Sequence, residues 1–411
     1  MTSPSGKQEE RTGNNRTRKN RAYDVVLFGA TGFVGALAAE YLAAHAPETL
    51  RWAVSGRDLQ MLRELRKRLA LLNPACAELP LIHADASEPS SVRELAECTG
   101  VLATAAGPYL TLGQELVAAC AEAGTDYLDI TGEPEFVDLT YIRHDAIAQK
   151  TGARIVHAAG FDSIPHDLGV HFTVKQLPQG VPLRIDGFVQ WDARISGGTL
   201  SSALNQFSRG RKMMAAQRER NKMQPPVPGR TVRSSPGTPR HAKEIGCWAL
   251  PLPTIDPQIV LQSARSLEHY GPDFQYRCYM AVRTLPMAVG GVVGASAMLT
   301  AAQLPPARRW LLRRLKPGTG PSADRRAKST FAVRFVGEGG GQRVFTEVSG
   351  GDPGHDETSK MLAESAMCLA LDDLPQTSGQ VTTAVAMGDT LLERLRAAGI
   401  SFRVTTGHQL D

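Results

Sequence analysis

Residues 23–35 read Tyr23-Asp-Val-Val-Leu-Phe-Gly29-Ala30-Thr31-Gly32-Phe33-Val34-Gly35. A short apolar run stops at a glycine. Two more glycines follow at three-residue steps, and Ala/Leu-rich helical sequence comes next. The order is strand, tight turn, helix N-terminus. Such a turn lets the backbone approach a pyrophosphate, whose charge meets free N–H groups and the positive end of the helix dipole. The spacing is G-x-x-G-x-x-G rather than the commoner G-x-G-x-x-G. Taken alone, the motif also fits simple punctuation after a strand.

The sequence downstream repeats the pattern. Apolar runs at 51–56, 79–84, 101–105, 126–130 and 154–158 predict five more short strands. Helical sequence at 33–45, 59–72, 89–98, 111–123 and 135–150 separates them. Asp58 is placed to N-cap the second helix, and Gly124 to end the fourth. Strands alternating with helices predict a doubly wound parallel sheet with right-handed crossovers, that is, an α/β Rossmann domain. Ligands of such sheets bind beyond the carboxyl ends of the strands. Those ends read Ser55-Gly56-Arg57, Asp85, Ala106-Gly107-Pro108-Tyr109, Thr131-Gly132-Glu133 and Gly160-Phe161-Asp162-Ser163-Ile164-Pro165.

After about residue 180 the pattern changes. Alternation at 183–192 predicts an antiparallel strand, followed by a long helix at 199–219 and a Pro/Arg/Gly/Ser-rich loop at 220–243. Strands are expected at 274–283, 329–336 and 342–348, helices at 356–371 and 390–398, and a last strand at 402–405. The expected organisation is a disordered basic tail at 1–21 and a nucleotide-binding domain at 22–165. A mixed α+β substrate domain at 166–355 and C-terminal helices at 356–411, packing back on the first domain, complete it.

The chain has 411 residues, 42% of them apolar and 21% charged, with a net charge of +5. This is globular composition with room for two or three domains. Six scattered cysteines form no C-x-x-C pair, and the basic first 21 residues carry no apolar core of a signal peptide. Reduced thiols in a cytoplasmic protein are expected, with no metal centre and no nucleic-acid partner. Between Arg283 and Arg308 lie 24 residues without a charge, and Arg309, Trp310, Arg313, Arg314 and Lys316 follow. Three readings of 284–307 stand: a bilayer span, a buried helix or homodimer interface, and an apolar segment lying peripherally on the inner face of the plasma membrane. A flap over a greasy substrate has the same composition.

The second strand exit identifies the cofactor. A carboxylate there holds the ribose 2′-hydroxyl of NAD. Here Arg57 stands in its place, and Asp58 is committed to capping. An arginine pairs with a 2′-phosphate, so NADP(H) is expected. Asp85 suits the adenine edge, and Ala106-Gly107-Pro108 lets the backbone run beside the cofactor.

The strings Val-Leu-Phe-Gly-Ala-Thr-Gly-Phe-Val-Gly, Ser-Gly-Arg, Ala-Ala-Gly-Pro-Tyr109, Tyr127-Leu-Asp-Ile-Thr-Gly-Glu133 and His157-Ala-Ala-Gly-Phe-Asp-Ser-Ile-Pro165 resemble the saccharopine dehydrogenase-like superfamily. Within it they are most similar to the trans-acting enoyl reductases of polyketide-derived lipid synthesis. The resemblance covers roughly residues 22–210, Lys316–Ser322 and 350–403. It implies NADPH-dependent reduction of a carbon–carbon double bond on a lipid or polyketide acyl chain, carrier- or synthase-bound, and peripheral membrane contact. The tract before Ala386 and the linker at 220–243 depart from the family pattern.

Such a reaction needs a hydride for the β-carbon, a proton for the α-carbon and a donor to the enolate oxygen. Tyr109 is a candidate donor, or an aromatic packed beside Pro108. Glu133 is a candidate for the nicotinamide ribose or proton transfer, or a cap for the next helix. Asp162 and Ser163 are candidates for the carboxamide or substrate, or caps for the helix starting near Pro165. The chain has no Tyr-x-x-x-Lys and no P-loop, which argues against short-chain ketone reduction and nucleotide hydrolysis. Two rivals remain, a saccharopine-type amino-acid dehydrogenase and a non-catalytic NADP-binding membrane protein.

Overall fold

The computed structural model describes residues 21–192, 204, 206–314 and 320–406. Six strands alternate with helices as the apolar runs predict: β1 (Tyr23–Phe28), β2 (Trp52–Gly56), β3 (Leu81–His83), β4 (Thr99–Thr104), β5 (Asp126–Asp129) and β6 (Arg154–Val156). The parallel sheet has the order β14-β6-β5-β4-β1-β2-β3, in which β14 (Gly379–Val381) comes from the far end of the chain. The order of strand addition reverses beside β1, so the exits of β1 and β4 border one crevice, the place where such folds bind ligands. Val25, Val26 and Leu27 are fully buried, as a central strand covered on both faces requires.

Local chemistry sets the helices. Leu59–Leu72 buries Leu62, Leu65 and Leu69, one turn or so apart, while its charged residues face outward. Asp58 caps it by accepting from the N–H groups of Gln60 and Met61. Gly124, with φ of 72°, ends Tyr109–Ala123 in the left-handed conformation that glycine tolerates.

The second sheet has the order β15-β13-β12-β7-β11-β10-β9. Its members are β7 (Leu183–Asp192), β8 (Thr231–Ser234), β9 (Arg240–Ala242), β10 (Cys247–Pro251), β11 (Asp273–Val282), β12 (Thr330–Gly339), β13 (Gln342–Gly350) and β15 (Ser401–Thr405). β7 is antiparallel to β12 but parallel to β11, so the antiparallel expectation holds on one side only. The expected loop at 220–243 holds β8 and β9. Both lie at margins of the sheet, where polar sequence is tolerated and burial leaves little pattern. The helix expected at 199–219 is described as Gly210–Met223, and its expected start lies outside the described residues, as does almost all of the expected basic tail. Asp256–Ser266 is a helix the sequence pattern missed.

The C-terminal stretch touches both sheets. Helix Asp356–Leu371 lies on helix Phe33–His45, with Ser359 Oγ donating to the Val34 carbonyl at 3.0 Å and Tyr41 to Glu364 at 2.7 Å. β14 extends the first sheet and β15 pairs with β13 in the second.

Leu285–Gln303 is a 19-residue helix long and apolar enough to cross a membrane. Only Ala288 and Ala302 of it are buried. Burial in this chain's own core is therefore excluded. Leu285, Met287, Val289, Val292, Val293 and Leu299 are exposed, and Trp310 is exposed on the following helix, Pro305–Arg314.

Candidate active site

The first glycines form the expected turn. Gly29 has φ of 75°, and a Cβ there would stand 2.8 Å from the Cβ of Ala106, so the exits of β1 and β4 are in contact. A Cβ on Gly35 would collide with the Gly29 carbonyl. No side chain caps helix Phe33–His45, whose N-cap is Gly32, which leaves its first N–H groups for an anion. Ala30 is buried beneath the turn. Phe33 and Val34 hold it from the other side: Phe33 meets His355 edge-on and lies under the Arg326 guanidinium, and Val34 accepts from Ser359.

A cavity of about 650 Å³ adjoins this turn, lined by Thr31, Arg57, Asp58, Met61, His83 and Asp85 among others. Gly56 and His83 are registered partners on β2 and β3, so Arg57 and His83 enter the cavity side by side. Ser55 is buried below, and its carbonyl accepts from Gly29 N at 2.9 Å. Asp85 accepts from the N–H and hydroxyl of Ser87, which hold its carboxyl below the usual range, with help from Arg57 and His83. The turn, the uncapped helix and Arg57 on the cavity wall fit a dinucleotide with a 2′-phosphate. His83 was missed in the sequence; its place two residues before Asp85 on a strand exit was the available signal.

The other strand exits build the second half of the site. Gly107 and Pro108 lead into helix Tyr109–Ala123. Glu133 reaches back to that helix and accepts from the N–H groups of Tyr109 and Leu110, both at 3.0 Å. Glu133 thus caps the helix before it, not the one after it. Burial pushes its carboxyl up, against those two hydrogen bonds. Tyr109 is buried; its hydroxyl donates to the Thr104 carbonyl at 3.1 Å and faces Ile130 N at 3.4 Å. Its ring packs on Phe136. The tyrosine ties the exits of β4 and β5 together.

Below lies a network the sequence did not reveal. Asp129 pairs with His157 at 2.7 Å and accepts from Thr131 N and Ala158 N. His157 in turn meets Thr140 at 2.9 Å. Ala158 has φ of 57°, a strained value for a residue with a side chain. The network fixes the 130–133 and 157–163 turns against each other. A charged residue and a histidine inside otherwise apolar strands were its only signal.

Asp162 lies next to Gly132, where a Cβ would stand 3.0 Å from its Oδ2. Surrounding protein and then the Asp256 carboxylate push its carboxyl up to about 7. Ser163 is fully buried with its hydroxyl unpartnered among the described residues. Neither residue caps helix Ile164–Val174. Behind them, His166, Asp256 and Cys278 bring ligand-type atoms within 4.8 Å of one another, all buried. Burial drives His166 down to about 3 and Asp256 up to about 7, and His166 Nδ1 meets the Tyr276 hydroxyl at 2.7 Å.

A cavity of about 880 Å³ opens from Pro108, Leu110 and Glu133 toward helix Gly210–Met223 and Arg308. Arg209 on its wall is held by Glu135 through two hydrogen bonds of 2.6 and 2.7 Å.

Comparison with known proteins agrees with this geometry. Residues 25–156 match the family described as saccharopine dehydrogenase NADP binding domain. A Mycobacterium tuberculosis protein named as a trans-acting enoyl reductase is 37% identical over 95% of this chain and 99% of its own length. A trans-acting enoyl reductase of Mycobacterium bovis is 35% identical over 94% of this chain and 98% of its own. The solved saccharopine dehydrogenase (L-Glu forming) of Saccharomyces cerevisiae shares the fold, with a TM-score of 0.55 at 11% identity, covering 93% of this chain and 99% of that one. The chain belongs to the trans-acting enoyl reductases of the saccharopine dehydrogenase-like superfamily, and its cofactor is NADP.

Proposed function

We propose that this NADP-dependent enoyl reductase acts on a 2-enoyl thioester whose acyl chain belongs to a lipid or polyketide and is held by a synthase or carrier. When bound, NADPH supplies a hydride for the β-carbon. The α-carbon then takes one proton, and the double bond becomes a single bond. Asp162 is the group we assign to that proton. It is exposed after the exit of β6, beside Gly132 at the exit of β5, and its raised pKa keeps the acid form populated near neutrality. This observation carries the reading. Tyr109 and Glu133 act as positioning residues, because their polar atoms are engaged by the protein.

A saccharopine-type reaction would need arginines free for several carboxylates. Of Arg194, Arg209, Arg211 and Arg277 in the second domain, Arg209 and Arg277 are committed to Glu135 and Asp186, Arg194 lies outside the described residues, and Arg211 lines the second cavity. The exposed face of Leu285–Gln303, followed by Arg308 and Arg309, supports peripheral contact with an anionic membrane from the cytoplasmic side. A second copy covering that face is the competing reading.

The test is Asp162→Asn. NADPH should bind as before, while oxidation of NADPH by an enoyl thioester should fall by about 10²–10⁴-fold, the range of general acid catalysis. In the unsubstituted enzyme, turnover should decline as pH rises through about 7, because the donor form is the protonated one. A variant with unchanged turnover and the same pH profile would remove Asp162 from the reaction.

A further inference from the structure

We infer that His166, Asp256 and Cys278 form a buried site for one divalent transition-metal ion, with zinc as the fitting occupant. Such an ion joins helix Ile164–Val174 to the second sheet, whatever the acyl substrate.

The ligands come from three elements. His166 lies in the first turn of helix Ile164–Val174, after the exit of β6. Asp256 opens helix Asp256–Ser266, and Cys278 sits in β11. Their ligating atoms all lie within 4.8 Å of one another, and the three residues are only 2–4% exposed.

Two of these atoms face each other without a bond. His166 Nε2 stands 3.8 Å from Asp256 Oδ1, beyond hydrogen-bond reach. Asp256 Oδ1 is buried and has no hydrogen-bond partner among the described residues. A buried carboxylate oxygen left in this state is costly. Were the cluster packing alone, imidazole and carboxylate would close to about 2.8 Å. Two metal bonds of about 2.0–2.2 Å each span the gap that is observed.

The surroundings hold the ligands as a metal site requires. His166 Nδ1 meets the Tyr276 hydroxyl at 2.7 Å, which leaves Nε2 to offer its lone pair. The same hydroxyl reaches the Cys278 sulfur, so one group orders two ligands. Tyr276 and Cys278 are two positions apart on β11 and share its face. Gly187 on β7, registered with Cys278, makes room for the tyrosine: a Cβ there would stand 2.7 Å from its Oη. Thr254 donates to the other carboxylate oxygen, Asp256 Oδ2, and so leaves Oδ1 for the ion.

Donor type and charge select the ion. One imidazole nitrogen, one thiolate sulfur and one carboxylate oxygen suit zinc, whereas magnesium and calcium take oxygen ligands. A divalent cation with one thiolate and one carboxylate carries no net charge, which suits a buried position. On binding, the Cys278 thiol loses its proton to solvent as the metal–sulfur bond forms, and any proton on Asp256 leaves too. Three protein ligands leave the fourth tetrahedral position to a water.

The experiment uses the full chain, without an affinity tag, made in zinc-supplemented medium. Elemental analysis should find about one zinc per chain. After chelation, added cobalt(II) should give a thiolate-to-metal charge-transfer band that zinc abolishes. Cys278→Ser should lose that band. Tyr276→Phe keeps all three ligands and should bind zinc about 10–100-fold more weakly, read by competition with a chromophoric chelator. Circular dichroism and NADPH affinity check that each variant is folded. The unsubstituted chain decides the matter even where a variant fails to fold: no zinc and no cobalt band would overturn the site. A band that survives in folded Cys278→Ser would overturn it as well, since the metal would then sit elsewhere.

Discussion

At the scale of single residues, cofactor choice hangs on Arg57. It stands where NAD-binding folds keep a carboxylate, and it shares a cavity with His83 and Asp85. A charge-assisted pair is worth about 1.5–3 kcal/mol, so Arg57→Gln should raise the NADPH dissociation constant about 10–100-fold and leave that of NADH nearly unchanged. Fluorescence titration with both nucleotides reads this directly. Equal loss for both would mean that Arg57 supports the loop and not the phosphate. The Asp58 cap was legible because its partners are next to it in sequence. Glu133 was misread for the opposite reason. Its cap serves a helix that begins 24 residues earlier, and nothing in the local sequence distinguishes backward from forward capping. Asp256 and Cys278 were invisible as neighbours of His166, since each comes from a different element of the second domain.

At the scale of elements, the six strands and their helices were read nearly to the residue, because buried parallel strands are short apolar runs with glycine or helix caps between them. The second sheet was read at β7, β11, β12, β13 and β15, and β10 was missed. β8, β9 and β14 are three or four residues long, too short to show a period. The helix Leu285–Gln303 exposed a different limit. Composition left it open between core, membrane and partner, and only the packing shows its apolar face uncovered. Val289→Ser with Val293→Ser removes two of its most exposed side chains. Partitioning onto anionic vesicles should weaken about tenfold or more, by the apolar transfer energy lost. If the double variant instead shifts a dimer to monomer on gel filtration without changing vesicle binding, the face belongs to a second copy.

At the scale of the whole molecule, the last stretch of chain ties the two sheets together. β14 completes the edge of the parallel sheet, β15 completes the edge of the mixed one, and helix Asp356–Leu371 lies on the cofactor helix between them. Arg154 bonds both Asp126 and the Leu369 carbonyl from a buried position, joining β6, β5 and that helix. Ending the chain after Asp373 should therefore leave both sheets open, with loss of soluble protein and rapid proteolysis even in the presence of NADPH. A truncated chain that stays soluble and protease-resistant would mean that each sheet is stable without its final strand. The order of synthesis gives this arrangement a further consequence. β14 and β15 follow every other strand in the chain, so a nascent chain that has reached Asp373 carries two sheets with unpaired edge groups. Such edges invite pairing with other chains. Slow passage through the codons for residues 374–405, or a stop there, exposes the cell to an aggregation-prone intermediate that already holds a nearly complete nucleotide site.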